Sequence, residues 1–366
     1  MTKLTDLCDI QYGYAFDSGA FTDDESYPQL VRIRDVKRGY SETYYNGEYP
    51  EEYVLSAGDL LIGMDGEFNI ARWKVDGALL NQRVCKIIAK DNVDEEFLRF
   101  ALSKALKAIE DRTSFATVKH LSAKELNKLE IPVPPYEEQE KISEILHRLE
   151  KVIDIRQNEL ASLDELIKAR FVELTNKWNA SELPLSDVLD DITYGFTNPM
   201  PDSDVGPWKI TAKDVVNGHV NFETARKTTQ EAYDLLTAKS KPIIGDVLLT
   251  KDGTLGRTAI VEDEKLCVNQ SVAVLRCNNK VLPRFLTLLL QLPEYQAEMT
   301  KNSGGGTIKH IYITKVDKML VKIPDIIAQK EFISFVEQVD KSKVAVQKAL
   351  DEAQLLFDSL MQEYFG

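Results

Sequence analysis

The chain has 366 residues, 43% hydrophobic and 28% charged, a balance that excludes wholesale disorder and suits two, at most three, packed domains. Its formal net charge of −14 excludes indiscriminate coating of nucleic acid, so any DNA contact must come from local basic patches or a basic partner. No apolar run approaches the roughly 20 residues that span a bilayer; Leu286 to Leu292 is among the most apolar and is broken by Gln291.

In chain order, Met1 to Ile10 carries acids and no long apolar core, which does not match a secretory signal. Strand-like runs are expected at Leu30 to Val36, Asp59 to Gly63 and Arg83 to Ile88, with a turn at Asp65-Gly66. A helix is expected over Glu95 to Asp111. Pro132, Pro134 and Pro135 cannot sit inside a helix and mark the start of a long one. The same order then returns. Strands are expected at Asp246 to Thr250 and Ser271 to Arg276 around an Asp252-Gly253 turn. A helix over Pro283 to Thr300 and a second long helix close the chain. Cys8, Cys85, Cys267 and Cys277 form no CxxC pair, and with four His they complete no zinc pattern. A reduced, cytoplasmic compartment is the expectation.

The order returns because the chain repeats itself. Thr117-Val118-Lys119-His120-Leu121 comes back as Thr307-Ile308-Lys309-His310-Ile311, a spacing of 190 residues. At that spacing Ile131-Pro132-Val133-Pro134 matches Val321-Lys322-Ile323-Pro324, and Gln139 matches Gln329. Gly58-Asp59 matches Gly245-Asp246, and Asn81-Gln82 matches Asn269-Gln270. Tyr12-Gly13-Tyr14 echoes Tyr194-Gly195-Phe196. The chain therefore reads as a tandem duplication: residues 1–135 a first globular domain, 136–178 a long helix, 179–325 a second, diverged domain, and 326–366 a second long helix.

Steps of four and three along the first helix pick out Ile142, Leu146, Leu149, Ile153, Leu160, Leu163, Ile167 and Leu174, interrupted by Arg156 and Arg170. The same phase in the second picks out Phe332, Val336, Val339, Val346, Leu350, Phe357 and Leu360, interrupted by Lys343. A sustained period of about 3.5 residues is the coiled-coil signature, and two stripes in one register point to mutual pairing. The second domain connects the end of one helix to the start of the other, so an antiparallel pair is expected. The fold class is α+β: two similar α/β domains separated by an antiparallel two-helix coiled coil, with a pseudo-two-fold repeat. At about 1.5 Å per residue, Glu140 to Thr175 makes a rod of roughly 54 Å, which bounds two DNA half-sites near 16 base pairs apart at about 3.4 Å each.

The run Ile131-Pro132-Val133-Pro134-Pro135-Tyr136-Glu137-Glu138-Gln139-Glu140-Lys141-Ile142, ahead of the long helix, resembles the conserved region of the specificity subunits of type I restriction–modification systems. Lys309-His310-Ile311 with Val321 to Pro324 resembles a second copy, although Asp325-Ile326-Ile327-Ala328 departs from the first. The resemblance covers nearly the whole chain and implies two target recognition domains and two conserved helices. It implies a subunit with no chemistry of its own that binds an asymmetric bipartite DNA sequence. It also implies docking of two methyltransferase subunits on the rod. S-adenosylmethionine, and ATP with Mg where restriction subunits join, would belong to those partners.

Specific readout uses Arg or Lys on guanine and Asn or Gln on adenine, while other basic and polar groups hold phosphates. The candidates in the first domain are Arg32, Arg34, Lys37 and Arg38, then Arg72 and Lys74 beside Trp73. In the second they are Lys209, Thr211 and Lys213, then Lys251 and Arg257. Lys119, His120, Lys309 and His310 recur and point to a shared role, phosphate contact or packing at the domain–helix junction. Enzymatic readings find no support. Pro134-Pro135-Tyr136 follows Val133 rather than Asn or Asp, and Asn198-Pro199-Met200 lacks the second proline, so neither holds a flipped adenine. Ser303-Gly304-Gly305-Gly306-Thr307 is no phosphate loop. The competing reading is a coiled-coil interaction scaffold that never touches DNA, which the negative charge favours.

Overall fold

The computed structural model describes residues 1–112, 119–177, 180–216, 218–262, 265–301 and 310–366. The chain divides into two units, Met1–Asn158 with Gln347–Gly366, and Glu159–Val346. Thr117, Val118, Ser303 to Thr307, Ile308 and Lys309 lie outside the described residues. No described helix is long and apolar enough to cross a membrane.

The first unit is built on a four-stranded antiparallel sheet in the order Cys8–Tyr12, Val84–Ala89, Leu60–Gly63, Ile70–Arg72. Alternation puts Cys85 and Ile87 of the central strand, with Leu60 and Ile62 beside it, on one buried face. The helix Glu95–Arg112 lies on that face through Phe97, Phe100, Ala101 and Leu106. A smaller sheet pairs Leu30–Val31 parallel with Ala78–Leu80, which pairs antiparallel with Val54–Leu55. The long helix Tyr136–Lys177 starts in this unit. Its Ile142 and Leu146 enter the same core as Met361, from the end of the helix Ile326–Phe365.

The second unit repeats the plan. Its sheet runs Leu189–Tyr194, Val272–Cys277, Val247–Thr250, Thr258–Ile260. Phe171 and Leu174, near the end of the first long helix, share its core with Phe332 and Val336, near the start of the second. Phe171 meets Phe332 edge-on at 5.6 Å between ring centroids. Arg170 reaches Glu331 at 2.6 Å and Lys343 reaches Asp164 at 2.5 Å. One number rises as the other falls, so the pair is antiparallel. The three-stranded sheet differs: Ser203–Ile210 is central, parallel to Leu266–Val268 and antiparallel to Arg226–Lys227.

The repeat landmarks are structural joints. A Cβ on Gly13 would sit 2.0 Å from the Asn81 carbonyl oxygen, and one on Gly195 1.7 Å from that of Val268, so only glycine permits these crossings. Beyond each crossing the chains zip together: Gln82 N–H donates to Tyr14, and Gln270 N–H to Phe196. Asn81-Gln82 and Asn269-Gln270 are thus turns that fix the strand ends. Asp59 accepts from Ser56 N–H and pairs with Lys86, while Asp246 accepts from Ile243 N–H and pairs with Arg276. Gln139 and Gln329 are buried. Each accepts from a backbone N–H ahead of the domain's helix, that of Asp94 or Leu282, and donates to Pro134 or Pro324. At the second helix start the divergent Asp325 acts as a cap, its Oδ1 accepting from the N–H groups of Ile327 and Ala328.

Two sequence expectations need correction. Leu30 to Val36 is not one strand: after Leu30–Val31 the chain turns through a 3-10 element at Ile33–Asp35, because buried Asp35 accepts from Arg32 N–H. Pro283 to Thr300 is not one helix: Pro293 lacks an N–H and starts a separate helix, so the run splits into Pro283–Gln291 and Pro293–Lys301. The seam also drifts. Phe171 and Met361, each one residue past the strict heptad positions 170 and 360, are the buried ones, as a 3.6-residue helix read with a 3.5-residue ruler requires.

Candidate nucleic-acid interface

Each unit carries a 3-10 turn organised by a buried aspartate. In the first, Asp35 accepts from Arg32 N–H, Ser41 hydroxyl and the Arg38 guanidinium. In the second, Asp214 accepts from the N–H and hydroxyl of Thr211 and from Thr224 hydroxyl. The carboxylate fixes the turn, and the turn displays what stands beside it. Arg32, Arg34 and Lys37 are exposed in the first unit, and Lys213 in the second. Arg32 corresponds to Thr211 and Arg34 to Lys213, so the scaffold recurs while the displayed groups change.

The remaining candidates divide by their partners. Arg38 is held by Asp35, Glu42 and the Tyr40 carbonyl. Arg72 is held at 2.6 Å by both Glu95 and Glu96. Burial alone would lower the pKa of its guanidinium, but the hydrogen bonds it donates to Glu96 and then Glu95 raise it above its ordinary value. In turn, burial would raise the Glu96 carboxyl, and Arg99 with Arg72 holds it below the usual carboxylate range. Arg99 also forks onto Glu150 of the long helix at 3.1 and 2.5 Å. Arg72 therefore belongs to a clamp between domain and helix. Lys74 is exposed and, with Lys37 and Arg72, lines a cleft of about 650 Å³.

Lys119-His120 and His310 pack on the Asp-Gly turns. Asp65 pairs with His120 at 2.5 Å and with Arg83 at 3.3 Å, and Gly66 N–H donates to the Lys119 carbonyl. Lys119 reaches Glu110 at 2.9 Å. In the second unit His310 pairs with Asp252, which also holds Lys251 at 3.2 Å. Lys251 is buried under Tyr194, whereas Arg257 is exposed. Lys119, His120 and His310 are thus paired with Glu110, Asp65 and Asp252 of their own domains.

The structure adds residues that pattern reading passed over. Arg83 directly follows the recurring Asn81-Gln82, stands at φ 77° and is 54% exposed. A non-glycine residue in the left-handed region is uncommon and often functional. Arg226 joins Lys209, Thr211 and Lys213 around a cleft of about 300 Å³; it lies in a two-residue strand with no sequence signal of its own. The four cysteines are no candidates for chemistry, since burial pushes every thiol up to about 12. Among the described residues, no group of three or more His, Cys, Asp or Glu could hold a metal.

The chain is similar to known proteins along most of its length. The family described as type I restriction modification DNA specificity domain matches residues 1–165 and 202–353. The chain is 31% identical over 397 aligned residues to the type I restriction enzyme EcoBI specificity subunit of Escherichia coli, covering 98% of this chain and 83% of that one. It is 19% identical to the MjaVIII specificity subunit of Methanocaldococcus jannaschii over 82% of this chain and 78% of that one. Among solved structures, a chain from a study of type I R-M complex assembly and conformational transition matches with a TM-score of 0.61 at 18% identity, covering 99% of this chain and 96% of that one. The type I restriction–modification S subunit from M. genitalium matches with a TM-score of 0.53 at 16% identity, covering 100% and 95%.

Proposed function

Because the chain belongs to the type I restriction–modification DNA specificity family, we propose that it is the DNA-recognition subunit of such a complex and performs no catalysis itself. It binds an asymmetric bipartite target, one half-site per recognition domain. The observation that carries this reading is the repetition itself. The glycine crossings, the Asn-Gln turns, the buried glutamines and the Asp–His pairs recur, while the two aspartate turns expose Arg32 and Arg34 in one unit and Lys213 in the other. A duplicated frame with unlike exposed cations suits two unlike half-sites. The recognition domains span residues 1–135 and 179–325, and the helices 136–178 and 326–366 set the spacing of the half-sites.

The partners are double-stranded DNA and two methyltransferase subunits, joined in a restricting complex by restriction subunits. S-adenosylmethionine, and ATP with Mg, would be bound by those partners and not by this chain. Exposed apolar residues on the long helices, Ile145, Val152 and Ile155 in the first unit and Leu166 and Val172 in the second, are consistent with the docking role. The net charge of −14 favours the alternative, a scaffold that never meets DNA. Methylome sequencing of a host with and without the gene decides between them. Loss of one split adenine-methylation motif supports recognition. An unchanged methylome, with a purified complex that shows no preference on a random DNA library, would leave only the scaffold.

A further inference from the structure

The cleft of about 300 Å³ in the second unit is lined by three cations and by a carboxylate shared between two of them. Asp202 bridges two cations, taking Lys209 Nζ on Oδ1 at 2.5 Å and Arg226 Nη1 on Oδ2 at 2.7 Å. Hydrogen bonds from Lys209 and then Arg226 hold its carboxyl below the ordinary range. Lys213 lines the same cleft and is exposed. At the matching strand position the first unit has an apolar residue. Lys209 stands in the strand that runs parallel to Leu266–Val268, in register with Cys267, where the first unit places fully buried Leu30 in register with Leu79.

Asp202 also differs from the aspartates that build the fold. Asp35 and Asp214 are fully buried and each is held by backbone and side-chain donors. Asp202 is 52% exposed, and among the described residues its side chain is held by the two cations alone. A carboxylate bound this way is exchangeable. Its two oxygens occupy the positions that two non-bridging phosphate oxygens would take, and charge-assisted bonds to phosphate use the same donors. We propose that this cleft seats a backbone phosphate of the half-site read by the second unit, and that Asp202 holds Lys209 and Arg226 in place until that phosphate displaces it. The inference rests on the DNA-recognition reading and assigns one of its contacts. Asp202 sets how readily the second unit engages DNA of any sequence, since a phosphate contact positions without specifying.

The test uses the full chain assembled with its methyltransferase subunits and a duplex carrying the methylated target. The slope of log affinity against log salt is measured for the wild type, Asp202→Asn, and the double variant Lys209→Gln with Arg226→Gln. Removing the competing carboxylate should raise affinity and steepen the slope by about one, so that Asp202→Asn loses roughly 3.5-fold more affinity than the wild type between about 50 and 200 mM salt. The double variant should flatten the slope by up to about two while the methylated sequence stays the same. An unchanged slope in Asp202→Asn, or a double variant that changes the bases read, overturns the phosphate seat. If Asp202→Asn fails to fold, the double variant alone decides. A wild-type complex without sequence preference refutes the recognition reading as well, which separates the two failures.

Discussion

Single residues in this chain act mostly as joints. Gly13 and Gly195 lie where one backbone crosses another too closely for a Cβ. Gly13→Ala should therefore destabilise the first unit by about 1–3 kcal/mol, the range of overpacking, read as a lowered midpoint in thermal unfolding; an unaltered midpoint would show that the crossing can open without strain. The Arg72–Glu96–Arg99–Glu150 clamp makes a pH prediction. Glu96 is depressed in the folded chain, so its contribution is full above its unfolded value near ~4.3 and is lost as pH falls through the lower folded value. The stability gap between wild type and Glu96→Gln should narrow on acidification below about pH 4, measured by paired melts across pH; a gap independent of pH would contradict the assignment. The sequence marked Gly13 and Gly195, because they recur, but not what they do. Repetition marks a constraint and leaves its cause open. Arg72 reads in sequence as a free cation, and only the structure shows two glutamates on it.

The long helices were legible from periodicity and from the prolines ahead of them, whereas Pro293, which splits the expected helix over Pro283 to Thr300, was passed over. The long helices begin at Tyr136 and Ile326, as Pro134, Pro135 and the 190-residue repeat require, and their buried stripe drifts off the strict heptad to Phe171 and Met361. Reading failed where side-chain chemistry overrode propensity. Leu30 to Val36 has strand-forming residues, but a buried carboxylate turns the chain after two of them. The cation cleft was only half visible, since Lys209, Thr211 and Lys213 lie together in sequence while Arg226 and Asp202 arrive from other strands and loops. Packing of the helices gives two predictions. Phe332 is 1% exposed among Phe171, Phe285 and Val336, and Phe332→Ala should cost about 3–5 kcal/mol in the second unit, measured by chemical denaturation. Gln329→Leu would strand the Leu282 N–H and the Lys280 and Pro324 carbonyls. Buried groups left unpaired cost roughly 1–3 kcal/mol each, so this variant should unfold more readily than Gln347→Leu, an exposed change on the same helix.

At the scale of the molecule, duplication and helix length carry the functional prediction. Replacing residues 1–135 with another recognition domain should change one half of the methylated motif and leave the other intact, as sequencing of methylated DNA would show. Inserting one heptad into both long helices at matching positions should lengthen the unread spacer and keep both half-sites; a spacer that does not move would remove the helices from the measuring role. The division of the chain has a further effect. The first unit includes Gln347–Gly366, and its core takes Met361, with Phe357 and Tyr364 packed against it. As the polypeptide leaves the ribosome, the domain made first is therefore the last to be completed. Its apolar face waits, open, through the whole synthesis of the second unit. A chain that stops after Val346 should leave that early half loose and protease-sensitive while the later half stays shut, so the order of translation and the order of closure run opposite ways.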